Sequence, residues 1–212
     1  MGFDLCIFDL DGTLVDTRAD ITAAANDMLA HYKLGAKSID EVTGYVGDGI
    51  SRLVERCLKG SGAELKEAVS LFKNAYSTRH LESTKPYPGV DELLKLLKDK
   101  YKAVLTNKSL VFSKSIIDTL KLTAYFSIIV GGDTFKDRKP SPDGIEHIIK
   151  QSGIEKEKTV MIGDGKNDII TAKNASVASV FVTYGFCKGE AALELNPDFV
   201  AEKPLDLLDI CL

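Results

Sequence analysis

Cysteine and histidine are scarce in this chain of 212 residues, and the few present are scattered. The four cysteines, Cys6, Cys57, Cys187 and Cys211, form no CxxC pair and have no histidine close by. That excludes a zinc site of the usual spacing and makes reduced thiols in a cytoplasmic setting the expectation. His31, His80 and His147 fall outside every motif described below and carry no catalytic expectation. No apolar run approaches the roughly 18 residues that cross a bilayer. The amino terminus offers acidic Asp4 where a leader would be basic and then apolar, so neither membrane insertion nor secretion is expected. The final DICL places Cys211 next to last, whereas a prenylation box needs its cysteine fourth from the end. Charge of neither sign dominates: 27 Lys and Arg against 31 Asp and Glu give a net charge of −4, which offers no surface for nucleic acid or another polyanion. An anionic ligand must therefore be held by local groups. Internal repeats and low-complexity stretches are absent as well.

What the chain does have is 44% hydrophobic and 27% charged residues, the balance of a soluble globular protein long enough to bury a core. Short runs of β-branched and aliphatic residues at 5–8, 103–105, 128–130, 160–162 and 180–182 predict strands. Between the later ones, segments beginning at Gly89, Leu110, Pro142 and Lys166 carry helical periodicity, with Leu93, Leu94, Leu96 and Leu97 read as core packing. Strand alternating with helix predicts a parallel α/β sheet covered on both faces. The rhythm breaks between Thr17 and Ser83, where only helical patterns occur, and resumes after TKPYPGV, in which Pro86 and Pro88 stiffen the chain and Gly89 permits a turn. The expected organisation is an α/β core of residues 1–15 and 86–212 interrupted by a helical cap domain of residues 16–85.

Within DLDGT, Asp9 and Asp11 stand at the carboxyl end of the first strand. Ligands of open parallel sheets bind at that edge, near the point where strand order reverses. Thr106 and Asn107 follow another strand, and Asp164 a third, with Asp168 one turn into the next helix. Gathered carboxylates take up protons unless a cation compensates them. Mg²⁺ suits such an all-oxygen set, and the lack of local Cys or His argues against zinc. With metal and phosphate in place, one free carboxylate can attack phosphorus and form an aspartyl phosphate. A second can protonate the leaving oxygen and then deprotonate the attacking water. The transferring phosphate also needs donors for its equatorial oxygens, and Thr106, Asn107 and Lys139 are the candidates. Lys139 lies in DRKPSPDG, where Pro140 and Pro142 hold the loop rigid.

Four motifs in order, DLDGT at 9–13, LTN at 105–107, Lys139 in KPSP, and GDGKND at 163–168, resemble those of the haloacid dehalogenase superfamily of phosphatases. The resemblance implies Asp9 as nucleophile and metal ligand, and Asp11 as general acid/base whose backbone carbonyl also meets Mg²⁺. It further implies Thr106 and Asn107 as phosphate ligands, Lys139 as the neutralising cation, and Asp164 and Asp168 on the metal side. It also implies a doubly wound, Rossmann-like sheet with the first strand central and a helical cap inserted just after it. Gly165 departs from the pattern, which often has serine there. GYVGDGISRLVERCL at 44–58, PYPGV at the hinge and VTYGF at 182–186 resemble phosphoglycolate phosphatases, which implies a small phosphorylated metabolite, 2-phosphoglycolate foremost, as substrate; a monomer and a homodimer are both open.

Plainer readings stand beside these. Asp9 and Asp11 as simple strand-end residues would leave Asp164, Asp168 and Lys139 unexplained, whereas Thr106 and Asn107 are also good helix-capping types. Gly44, Gly47 and Gly49 read equally as loop glycines or as places where backbone nears a substrate. Arg52 is a candidate for a substrate carboxylate, with an ion pair to Glu55 the favoured alternative, and Arg18 is ambiguous in the same way. Rival activities are an inorganic pyrophosphatase and a β-phosphoglucomutase-like phosphomutase, and a non-catalytic binding module is the rival of another class.

Overall fold

β1, Leu5–Phe8, is four consecutive apolar residues, each fully buried, which is the signature of a strand covered on both faces. The computed structural model describes residues 2–187 and 190–212, so Met1, Lys188 and Gly189, which the expected core range includes, lie outside the described residues. In chain order the elements are β1, β2 (Val15–Asp16), α1 (Arg18–His31), α2 (Ile39–Thr43), α3 (Ile50–Cys57), α4 (Leu65–Arg79), β3 (Lys85–Pro86), α5 (Val90–Leu96), β4 (Tyr101–Leu105) and α6 (Leu110–Thr119). There follow β5 (Ile128–Val130), α7 (Asp143–Ser152), β6 (Thr159–Gly163), α8 (Lys166–Ala175), β7 (Ala178–Val182), α9 (Glu190–Leu193), β8 (Phe199–Ala201) and α10 (Leu207–Cys211). The chain divides into two units, Met1–Val15 with Pro86–Leu212, and Asp16–Lys85.

The first unit is built on a six-stranded sheet in the order β5-β4-β1-β6-β7-β8, with every pairing parallel. The chain runs outward from β1 through β4 to β5, then returns to β6 on the other side of β1 and runs outward again. The order therefore reverses around β1, the doubly wound arrangement expected. Leu5 and Ile7 of β1, Ala103 and Leu105 of β4 and Met161 of β6 pack with Ile145 and Ile148 of α7 and Ala172 and Ala175 of α8. Alternation sends Phe8 to the opposite face, where its ring meets that of Phe126 edge-on with centroids 6.3 Å apart. Lys102 also points away from that cluster. It is buried because its Nζ donates to the carbonyls of Leu97 and Lys100 at 2.5 and 2.8 Å, closing the end of α5.

Among the details that differ from the sequence expectation are one leucine of α5 and one strand. Leu93, Leu94 and Leu97 are buried, but Leu96 is 51% exposed, because at about 100° per residue it falls off the face the other three share. β8 is an additional strand, three residues long and too short to register as a pattern.

The second unit is helical. Ile21, Ala25 and Met28 of α1, and Ala68, Phe72 and Tyr76 of α4, are buried at helical spacing, with the Phe72 and Tyr76 rings stacked 5.7 Å apart. Its two ends are tied by one side chain. Asp20, 2% exposed, accepts the Ser83 N–H at 2.9 Å and the Thr84 N–H and hydroxyl at 2.9 and 2.7 Å. The flanking β2 and β3 pair as a two-stranded ribbon. Arg18 is engaged by Asp16 at 2.9 and 2.7 Å, and Arg52 by Glu55 at 2.7 Å. In the glycine-rich loop before α3, Gly47 and Gly49 adopt φ of 119° and 84°, and Arg56 braces the loop through Asp48 and the Tyr45 carbonyl.

Asp20→Ala leaves three donors of Ser83 and Thr84, at the closing end of the insert, without their charged acceptor, and about 2–3 kcal/mol of stability is expected to be lost from the helical unit. Urea unfolding of the variant, with amide exchange at Ser83 and Thr84 as the local probe, checks this.

Candidate active site

The register of the sheet brings three strand ends level. Phe8 pairs with both Val104 and Ile162, so the residues that follow β1, β4 and β6 emerge side by side at the carboxyl edge. The ladder continues one residue past the strands: the Asp9 N–H donates to the Ile162 carbonyl at 2.9 Å and the Thr106 N–H to that of Val130 at 3.0 Å. Asp9, Thr106 and Asp164 are thereby positioned by backbone. Asp168, in the first turn of α8, is oriented by accepting the Gly165 N–H at 3.0 Å.

Asp9, Asp164 and Asp168 each offer a carboxylate oxygen within 4.8 Å of the others. Lys139 reaches into this group from the loop before α7, with its Nζ 2.6 Å from Asp168 Oδ1 and 2.9 Å from Asp9 Oδ1. Lys139 and Asp9 thus form a buried ion pair. Two amides secure the loop: Asn107 Nδ2 donates to the Lys139 carbonyl at 3.0 Å and Asn174 Nδ2 to that of Pro140 at 2.8 Å. Asp11 takes a separate partner. The ammonium of Lys108 lies 2.9 and 3.0 Å from its two carboxylate oxygens, and both side chains are nearly buried.

Four carboxylates against two ammonium groups leave two negative charges in a space that excludes most water. Burial accordingly pushes the Asp9 carboxyl up from an ordinary 3.8 to about 6, with the attraction of Lys139 opposing and the charge of Asp168 adding to the rise. Asp164 is raised well above its ordinary value by burial and by the charges of Asp9 and Asp168. Burial would pull the Lys139 ammonium down, but Asp168 and Asp9 outweigh it and hold its pKa above the ordinary value. The donors suit Mg²⁺: all are oxygens, they converge, and their charge calls for a proton or a cation. Asp9, Asp164 and Asp168 are the side chains that would hold it, while the Asp11 carboxylate faces Lys108.

Of the residues singled out from sequence, Asp9, Asp164, Asp168 and Lys139 are brought together, with Asn107 bonded to the Lys139 loop and Thr106 at the end of β4 beside β1. Arg52 belongs to the helical unit, where Glu55 occupies its guanidinium. Sequence reasoning missed Lys108. Its signal was available, since it directly follows Thr106 and Asn107 at a strand end that receives acidic residues from the neighbouring strand.

Asp9 binds its proton more tightly folded than unfolded, so without metal its ionisation destabilises the fold as pH rises from about 4 through about 6. In EDTA, wild type and Asp9→Asn are expected to have similar melting temperatures near the bottom of that window. The wild type should fall progressively below the variant on passing to neutral pH, and Mg²⁺ should close the gap. Thermal melts across the window check this.

The haloacid dehalogenase-like hydrolase family matches residues 6–182. A Pseudomonas aeruginosa protein named phosphoglycolate phosphatase 1 is 39% identical over 213 residues, covering 96% of this chain and 78% of its own. The Aquifex aeolicus phosphoglycolate phosphatase is 38% identical over 206 residues, covering 96% and 94%. Among solved structures, one described as a predicted phosphoglycolate phosphatase from Haemophilus somnus superposes with a TM-score of 0.89 at 29% identity, over 98% of this chain and 97% of that one. With its doubly wound sheet, its convergent carboxylates and a family match over most of its length, the chain belongs to the haloacid dehalogenase-like hydrolases.

Proposed function

We propose that the protein is a Mg²⁺-dependent phosphomonoester hydrolase that works through an aspartyl-phosphate intermediate on a small phosphorylated metabolite, 2-phosphoglycolate foremost. The observation that carries the reading is the separation of two carboxylates two residues apart. Asp9 lies with Asp164, Asp168 and Lys139, while Asp11 is held apart by Lys108. Relatives at 36–39% identity named phosphoglycolate phosphatase support the substrate.

In this reading an oxygen of Asp9 attacks phosphorus, the bond from phosphorus to the leaving oxygen breaks, and Asp11 delivers a proton to that oxygen. Asp11, now ionised, takes a proton from a water that attacks the phosphoenzyme. That step releases inorganic phosphate and regenerates Asp9. A bound Mg²⁺ would supply charge compensation for phosphate and carboxylates. Lys139 shares that task from within the chain, and Thr106 and Asn107 donate to the phosphate oxygens. The helical unit acts as the cap that selects the leaving group, with the Gly44–Gly49 loop as its candidate substrate-facing segment.

The test is phosphate release from 2-phosphoglycolate, sugar phosphates, pyrophosphate and nucleotides. The expected result is a kcat/KM favouring 2-phosphoglycolate by about tenfold or more, or about 1.4 kcal/mol of transition-state binding. EDTA should abolish turnover, and Asp9→Asn should lower kcat by about 10³-fold or more. Preference for pyrophosphate, or phosphate transfer between sugar positions without net release, would replace the hydrolase reading by one of the rival activities. Turnover of no compound would leave a binding module.

A second expectation concerns Asp11 and its lysine. Asp11→Asn should lower kcat for 2-phosphoglycolate by about 10²- to 10⁴-fold. The loss should be far smaller for p-nitrophenyl phosphate, whose leaving group departs without a proton. Lys108→Met should show the same discrimination at reduced size. Equal losses on both substrates would remove Asp11 from proton transfer.

A further inference from the structure

The turn that follows β7, Thr183–Phe186, touches the candidate metal site without contributing a charge to it. The Phe186 N–H donates to Asp164 Oδ2 at 2.6 Å. Just before it, the backbone of Gly185 lies directly against the same side chain. A Cβ there would stand 2.3 Å from Asp164 Cβ, 2.4 Å from the Gly12 carbonyl oxygen and 2.5 Å from Asp164 Oδ2. Its φ is outside the left-handed region, so what glycine supplies at 185 is space and not backbone freedom. On the other side, a Cβ at Gly12 would come within 2.2 Å of Asp164 Oδ2. The carboxylate is thus seated between two glycine backbones and pinned by an amide.

The turn itself is anchored at three points. The Thr183 N–H donates to the Ala201 carbonyl at 2.9 Å, which ties it to β8. The Tyr184 hydroxyl donates to the Thr13 carbonyl at 3.0 Å, next to Gly12 in the loop that carries Asp9 and Asp11. The Tyr184 ring also meets that of Tyr87 edge-on, with centroids 5.1 Å apart. These contacts join the loops after β1 and β7 around the Asp164 side chain.

We infer that Tyr184, Gly185 and the Phe186 amide are positioning elements for Asp164 that set the affinity and selectivity of its divalent cation; the inference rests on the reading of Asp164 as a metal ligand. The physical reason is geometric. Mg²⁺ demands near-ideal octahedral ligand placement at short distance, whereas Ca²⁺ accepts more ligands in looser arrangements. A carboxylate whose rotamer is fixed before the ion arrives favours the stricter cation. Groups that orient a ligand in this way commonly change metal affinity by 10- to 100-fold when altered.

The experiment is calorimetric titration of the full chain with Mg²⁺ and, separately, Ca²⁺, for wild type, Gly185→Ala, Tyr184→Phe and Asp164→Asn. Gly185→Ala is expected to weaken Mg²⁺ binding by about tenfold or more and Ca²⁺ binding by distinctly less. Tyr184→Phe should lean the same way by about threefold and decides the matter by the same ratio if Gly185→Ala does not fold. Mg²⁺ affinity unchanged in both variants, or equal losses for the two ions, would overturn the inference while Asp164→Asn still abolished binding. If Asp164→Asn bound Mg²⁺ as the wild type does, the ligand reading itself would fall, and the positioning role with it.

Discussion

Everything at the carboxyl edge of the sheet answers to one constraint, an excess of negative charge in a place with little water. Each of the four aspartates is brought there by backbone that has no alternative course. Asp9 and Asp164 directly follow central strands, Asp11 lies in the turn after β1, and Asp168 sits in the first turn of a helix that must pack on the sheet. Their repulsion is offset in part by Lys108 and Lys139, both nearly buried. Burying an ammonium is costly unless it is paired, and here each lysine is paired within 3 Å. The remaining imbalance is that of a divalent cation. Much of the surrounding polar network exists to hold the lysines where they are needed, as the Asn107 and Asn174 amides do for the Lys139 loop.

The two carboxylates of DLDGT are chemically identical and differ only in what meets them. Asp9 shares an ammonium with Asp168 and lies near Asp164, while Lys108 meets both carboxylate oxygens of Asp11. A pair of like groups can divide two tasks when their surroundings differ in this way. The difference arises from the lysines, which come from separate loops more than 25 residues apart in the chain, and not from the aspartates themselves.

Much of this was legible in the sequence. The buried strands announced themselves as apolar runs, and α8 begins and ends where its pattern does, because Gly165 and Asp168 at one end and Ser176 in a left-handed conformation at the other punctuate it. The acidic residues could be grouped before any coordinates because the parallel sheet dictates which ends of its strands meet. What escaped had no periodic signal. β2, β3 and β8 are two or three residues long, and such strands are made by their neighbours rather than by their own composition. α2 was also passed over, although Ser38 and Glu41 form a capping box that marks its start. Leu96 departs from its neighbours because adjacent residues of a helix point about 100° apart and need not share a face. Lys108 and the amide of Phe186 act through long-range contacts, which one-dimensional spacing records only once the order of strands is known.

The clasp that Asp20 makes with Ser83 and Thr84 has a bearing on how such a chain folds. An insertion of roughly 70 residues would ordinarily burden the sheet with the entropy of closing a long loop, about 2–3 kcal/mol more than a tight turn of a few residues. Because the first turn of α1 is pinned to Ser83 and Thr84 at the close of the insertion, that cost is met inside it. From the standpoint of the sheet, β1 is then followed by what amounts to a short hairpin. A module joined in this way can be lengthened, trimmed or exchanged without re-registering the strands, so the host scaffold and its graft are free to diversify at separate rates.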